Sequence, residues 1–135
     1  MIPVKSKLAT RQFGELEFEE RIVYHFASGL FGFEEYHDFI IIDDKDTEPL
    51  RWLVSIDDPD VGFAILEASL LAPKLYRELP HEDSASAVFV VVVLKRDPDP
   101  ITANLKAPIV LNLSSRTGKQ IVLNSDEYST EQKIN

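Results

Sequence analysis

Two apolar runs separated by a short polar link constrain the fold of this chain more than any other stretch. The runs are Ile109–Leu113 and Gln120–Leu123, and the link, Ser114–Lys119, carries one glycine, Gly118. Branched aliphatic residues fit a pleated, half-buried surface, and glycine takes the positive φ that a tight reversal needs. The stretch therefore predicts a β-hairpin, with Pro108 at the start of its first strand, where a missing N–H costs least.

Short apolar runs of the same kind occur along the chain, and turn residues separate them. Gly14–Glu20 has apolar residues at alternate positions between glutamates, which predicts a half-buried strand. Ala87–Leu94 is the most apolar run and predicts the central strand. Pro73 interrupts Ala68–Glu78, the one stretch with helix-like apolar content, so a short helix or a long excursion is expected there. Further strands are predicted at Lys7–Phe13, Ile22–Phe26, Phe39–Ile42, Arg51–Ile56 and Val61–Glu67.

About eight short strands without a convincing amphipathic helix predict an all-β, mostly antiparallel fold. We expect a single-domain β-barrel or sandwich with one or two short helical turns, covering residues 1–124, and a polar tail at residues 125–135. The length of 135 residues suits one domain with one core. The chain has no cysteine, no signal-peptide pattern and no apolar run long enough to span a bilayer. These features predict a cytoplasmic protein with no membrane partner.

The formal charge of −9 is spread unevenly along the chain. Residues 1–67 hold six Lys or Arg against fifteen Asp or Glu, whereas residues 68–135 hold eight of each. A protein of this charge is repelled by nucleic acid and by anionic lipid, and it favours basic partners. Acidity that only keeps a small domain soluble is the alternative explanation.

No set of residues indicates catalysis, a metal or a cofactor. A cysteine nucleophile is impossible, and the serine-nucleophile motif G-x-S-x-G is absent. The acidic loop after Phe39–Ile42 suggests calcium, but Pro49 stands where a calcium loop starting at Asp44 needs glycine. His25, His37 and His81 have neither helical nor strand spacing for a zinc site. We therefore expect a protein that is not an enzyme.

Binding surfaces remain, and two groups of residues are candidates. The apolar loop, Ser28–Phe33, places large apolar side chains between glycines, and these either plug one end of the barrel or contact a partner. Polar residues surround the predicted hairpin, and they either contact a partner or cap turns and bond at the strand edge. The candidates are Leu30, Phe31 and Phe33 in the loop, and Asn104, Lys106, Lys119 and Gln120 around the hairpin.

Four blocks of the sequence carry a resemblance to a known family. The stretch T-A-N-L-K-A-P-I at 102–109 with G-K-Q at 118–120 is similar to the C-terminal signature of the flagellar assembly factor FliW family. The blocks F-A-S-G-L-F-G-F-E at 26–34, W-L-V-S-I-D-D-P at 52–59 and Y-S-T at 128–130 resemble further motifs of that family, in the same order. The chain departs from the pattern at Ala27 and Phe31, where the family has proline.

The resemblance implies two mutually exclusive protein partners, flagellin and the RNA-binding translational repressor CsrA. In the family picture, cytoplasmic flagellin occupies the factor until it is exported, and the freed factor then binds CsrA and relieves the repression of flagellin translation. The charge adds that an acidic face would attract a basic partner. We expect Glu17 and Glu19 of the acidic strand and Asp43, Asp44 and Asp46 of the acidic loop to form that face.

Flagellin is expected at the apolar loop and the hairpin, because a helical hydrophobic terminus needs an apolar groove. The alternative function is a small-ligand-binding β-barrel or a hydrolase, because barrel mouths hold ligands and carboxylates are abundant here. An acidic nucleic-acid mimic is a further, less favoured alternative.

Overall fold

The computed structural model describes residues 5–79, 85–96 and 98–134. His81, which was weighed above as a zinc ligand, lies outside the described residues. Within the described ranges, ten strands, one 3₁₀ turn and two short helices follow one another. The strands are β1 Lys5–Thr10, β2 Gly14–Glu19, β3 Tyr24–His25, β4 Asp38–Asp43, β5 Arg51–Ser55, β6 Gly62–Glu67, β7 Ser86–Val93, β8 Thr102–Asn112, β9 Thr117–Gln120 and β10 Gln132–Lys133. The 3₁₀ turn is Glu20–Ile22, and the helices are α1 Ala68–Leu71 and α2 Pro73–Glu78.

Seven strands close into a barrel. From β3 to β8 each strand pairs with the next, and β9 pairs with both β8 and β3. All pairs are antiparallel except β3–β9, which is parallel and joins His25 to Thr117. β10 adds to the edge of β8, and β1 and β2 form a separate hairpin. The predicted fold class, an antiparallel β domain with short helical turns, is confirmed as a closed barrel.

The barrel wall carries apolar residues on both faces. Successive side chains of a strand point to opposite sides, so a continuous apolar run supplies both faces. In β5, for example, Leu53 belongs to an inner core that every strand from β3 to β8 supplies, whereas Val54 belongs to an outer core. The β1–β2 hairpin and the two helices cover the outer core through residues such as Phe18 and Leu75. The inner core consists of Tyr24, Phe26, Leu30, Phe39, Leu53, Ile65, Phe89, Ile109 and Leu111.

The predicted β-hairpin is present as β8 and β9, but its details differ from the prediction. β8 begins at Thr102 and not at Ile109, and the ladder register with β7 slips just before Ile109. Pro108 therefore lies within the strand, at an irregularity that tolerates its missing N–H. The ladder continues past β9, because Ile121 N donates to Pro108 O at 2.9 Å.

The glycine of the hairpin has a different role from the predicted one. Gly118 lies inside β9, and the positive φ of 56° in this hairpin belongs to Arg116. A Cβ atom at Gly118 would lie 2.3 Å from the ring of Phe26. The residue is therefore glycine because a buried aromatic ring approaches its backbone, and not because the chain reverses there.

The structure gives further detail for three other predicted segments. Only Tyr24–His25 of the predicted strand Ile22–Phe26 is a strand, and the 3₁₀ turn precedes it. Pro73 starts a second helix, in agreement with the predicted interruption. The segment 125–135 was expected as a polar tail, and its described part, 125–134, contacts the barrel through β10 and through Tyr128, which packs against the outer core.

Candidate functional site

The apolar loop combines a buried and an exposed apolar side chain. Leu30 is 3% exposed and belongs to the inner core, so it acts as a plug. Phe31, the next residue, is 53% exposed. Phe33 is half-buried and packs edge-on against Phe63, with the ring centroids 5.1 Å apart. The loop therefore anchors itself in the barrel and still presents an aromatic ring to solvent.

Backbone geometry at two glycines shapes the loop. Gly29 has φ 65° and its backbone lies so close to Glu34 that an added Cβ would be 2.6 Å from the Cα of Glu34. Gly32 has φ 86°, and its N–H donates to Glu34 Oε1 at 2.9 Å. This hydrogen bond holds the pKa of the Glu34 carboxyl below its usual range, because it stabilises the charged form.

The loop and the hairpin meet at Gln120. The backbone N–H of Phe31 donates to Gln120 Oε1 at 2.9 Å, and Gln120 Nε2 donates to Ala107 O at 3.0 Å. One side-chain amide therefore bridges the apolar loop, β9 and the irregular part of β8. Two of the predicted groups, the loop and the hairpin residues, are in contact through this bridge.

The other hairpin candidates lie on β8 and β9. Asn104 Oδ1 accepts a hydrogen bond from Lys106 N at 3.0 Å, which is the turn-capping role weighed in the sequence analysis. Lys106 is half-buried and Lys119 is exposed. Lys119 and Ala27 line a shallow pocket of about 240 Å³ beside β9.

Intramolecular cations offset much of the predicted acidic face. Glu17 pairs with Lys5 at 3.4 Å, and Glu19 pairs with Arg21. Asp43 accepts two hydrogen bonds from the guanidinium of Arg51, at 2.6 and 3.2 Å. In the loop that follows, Asp44 Oδ1 accepts a hydrogen bond from Asp46 N at 3.0 Å and so shapes a turn. The face is thus less negative than the sequence indicates.

A second acidic region was missed from the sequence. The turn after β5 carries Asp57 and Asp58, and the segment before β4 carries Glu35 and Tyr36. The two segments meet where His37 N donates to Asp57 Oδ2 at 3.4 Å. Loss of water contact, followed by the negative charges of Glu35, Asp58 and Asp57, raises the pKa of the Tyr36 hydroxyl above its ordinary value.

No sequence signal pointed to this region as a surface, because each segment is explained by local turn chemistry and their meeting depends on the pairing of β4 with β5.

The histidines His25 and His37 are far apart in the sequence, but their rings stack, with centroids 6.0 Å apart. Among residues 5–79, 85–96 and 98–134, no group of three or more His, Cys, Asp or Glu side chains could hold a metal ion. In the same ranges, no helix has the length and apolar content that crossing a membrane requires.

The fold and the site together define a class of protein, a small closed and mostly antiparallel barrel. Its apolar loop carries an exposed aromatic residue and is hydrogen-bonded to a β-hairpin, an arrangement suited to binding other proteins. Comparison with known sequences gives the family. A profile of the FliW protein family matches residues 7–134. The chain therefore belongs to the FliW family.

Individual relatives agree with the family profile over nearly the whole chain. The flagellar assembly factor FliW of Caldanaerobacter subterraneus subsp. tengcongensis is 36% identical over 95% of this chain and 92% of its own. That of Clostridium botulinum is 34% identical over 95% of this chain and 96% of its own. A crystal structure of a flagellar assembly factor FliW matches with a TM-score of 0.82 and 29% identity, covering 95% of this chain and 96% of that one.

Proposed function

We propose that this protein is a cytoplasmic flagellar assembly factor that binds flagellin and, alternatively, the translational repressor CsrA. Binding to CsrA would antagonise it, so that flagellin is translated. Family membership supports the assembly role, and the observation that carries a protein-binding mechanism is the exposed ring of Phe31 on a loop fixed by Gln120. An exposed aromatic side chain on a rigid support is a common anchor of protein interfaces.

Flagellin is assigned to the side of the barrel that carries Phe31. Leu30 and Phe33 fix the loop to the inner core and its neighbours, so that Phe31 is offered in one position. Ordering a flexible loop on binding costs free energy, and a loop that is already ordered avoids that cost. Polar groups for hydrogen bonds with a bound segment come from Asn104, Lys106, Lys119 and Gln120.

CsrA is assigned to acidic surface, because an RNA-binding protein presents basic residues. The net charge of −9 attracts such a partner and adds negative potential where RNA phosphate would otherwise sit. Glu17, Glu19, Asp43, Asp44 and Asp46 remain candidates for this face, although Lys5, Arg21 and Arg51 offset part of their charge.

Binding measurements with purified partners test the proposal. Isothermal titration with flagellin and with CsrA should show binding of each, and saturating flagellin should prevent the binding of CsrA. Phe31→Ser should weaken flagellin binding, whereas Leu70→Ser, at a residue on α1 that is 61% exposed, should not. Full flagellin binding by a folded Phe31→Ser variant would refute the loop assignment.

Capture of the tagged protein from its host's cytosol tests the function as a whole. Flagellin and CsrA should be recovered in separate complexes. Recovery with neither protein, but with a tightly held metal or metabolite, would instead support the ligand-binding or hydrolase alternative.

A further inference from the structure

Three half-buried aromatic side chains lie together where the apolar loop ends, and we call this group the aromatic corner: Phe33, Tyr36 and Phe63. The rings of Phe33 and Tyr36 are 6.4 Å apart, and those of Phe33 and Phe63 are 5.1 Å apart. All three residues pack against the inner core and are only partly buried there. They form an apolar group on a protein with a net charge of −9.

Three carboxylates border the aromatic corner. Glu35 adjoins Tyr36 in sequence, and the turn holding Asp57 and Asp58 is tied to the same segment through the N–H of His37. Their negative charges act on the hydroxyl of Tyr36. Within the described residues, no Lys or Arg lies within ion-pair distance of these three carboxylates.

The strand that carries Glu17 differs from the aromatic corner in its ion pairs, and this difference decides which acidic surface is available to a partner. Glu15 and Glu17 each have a lysine of β1 within 3.7 Å, so a basic partner would have to replace an existing ion pair to gain a new one. At the aromatic corner, no such exchange is needed.

We infer that the aromatic corner receives a basic segment of the RNA-binding partner, with a guanidinium or ammonium group placed over the rings and beside the carboxylates. This rests on the proposed function and names the surface through which it recognises CsrA. Aromatic faces attract cations, Arg in particular, and the attraction grows as water is removed. An apolar helix is a poor occupant, because it would take three carboxylates out of water without supplying a positive charge.

A pair of matched variants tests the inference by titration with purified CsrA at low and high salt. Glu35→Gln with Asp57→Asn removes two charges at the aromatic corner and keeps the size of each side chain. It should weaken CsrA binding about tenfold at low salt and flatten the salt dependence. Glu67→Gln with Glu131→Gln removes two charges at exposed residues outside both proposed faces and should change affinity by less than about threefold.

The rings are tested separately from the charges. Phe33→Leu keeps the apolar volume but removes the aromatic face, and it should weaken CsrA binding by about two- to fivefold. Flagellin binding serves as the folding control for the carboxylate variants and should stay at the wild-type level.

Each outcome has one meaning. If wild-type protein binds CsrA and the Glu35 and Asp57 variant binds it equally well, the aromatic corner is not the contact. An equal or larger loss in the Glu67 and Glu131 variant than in the corner variant would also overturn the inference. Absence of CsrA binding by the wild-type protein would overturn the proposed function, and this inference with it.

Discussion

The backbone N–H of Phe31 donates a hydrogen bond to the side-chain oxygen of Gln120, 89 residues further along the chain. The same amide group donates to the carbonyl of Ala107. An exposed aromatic residue in a loop is thus held by a residue of the β8–β9 hairpin. The family resemblance marks both segments, and this contact joins them in the structure.

Replacing Gln120 with alanine should loosen the apolar loop. The variant leaves the N–H of Phe31 and the carbonyl of Ala107 without their partner, which should lower the free energy of unfolding by about 1 kcal/mol. Hydrogen exchange at the Phe31 amide should become faster, and flagellin binding should weaken. Gln12→Ala, in the exposed turn between β1 and β2, is the control and should leave all three measurements unchanged. Unaltered exchange at Phe31 would show that the bridge does not order the loop.

Adding a methyl group at Gly118 should destabilise the barrel by about 1–3 kcal/mol, because the Cβ would meet the buried ring of Phe26. Urea unfolding of Gly118→Ala measures this loss. Gly62→Ala is the matched strand control, since its Cβ would make only an ordinary contact of 3.5 Å with Val54. Equal effects of the two substitutions would mean that strand propensity, and not the contact with Phe26, sets the cost.

The hairpin shows what the sequence can and cannot predict. Alternation and branched side chains located the strands, but the turn could not be placed from the presence of a glycine. Asn112 closes the turn instead, because its Oδ1 accepts hydrogen bonds from Ser114 N and Ser115 N at 2.9 and 3.0 Å. The contact between Gly118 and Phe26 joins distant segments, and a single sequence carries no local signal for it.

Replacing valine with threonine in β7 should lower the free energy of unfolding at a buried position but not at an exposed one. Val90 is fully buried in the outer core, so Val90→Thr should cost about 1–3 kcal/mol through the buried hydroxyl. Val93 is 45% exposed, and Val93→Thr should be nearly neutral. Thermal or urea unfolding of the two variants gives the comparison, and similar losses at both positions would contradict the burial assigned to β7.

Acidification should release the N–H of Gly32. Because the pKa of Glu34 is lowered in the folded protein, its contribution to stability is present above the ordinary value of 4.5 and is lost as the pH falls through the folded pKa. Carbon-detected NMR titration should give a Glu34 pKa below 4.5, with the Gly32 amide signal moving in the same pH range. In Glu34→Gln the Gly32 signal should lose this transition. A Glu34 pKa at or above its ordinary value would contradict the hydrogen bond.

The ion pairs of the acidic surface are the feature that the sequence alone could not reveal. The sequence shows Lys5 and Lys7 as well as Glu15 and Glu17, but only the register of β1 with β2 reveals that these charges face one another. The meeting of Glu35 with Asp57 likewise depends on the fold. Charge composition therefore gives the net charge, whereas strand pairing determines which carboxylates have a cation beside them.

The closing pair of the barrel, His25 with Thr117, has a consequence for biosynthesis. Strands β4 to β8 can pair in order as they leave the ribosome, but the ring cannot be completed until β9 has been translated. Contacts between such distant residues are slow to form because the intervening chain must first be ordered. Until β9 has been translated, the newly made polypeptide can therefore form at most an open sheet whose β3 edge lacks its partner strand.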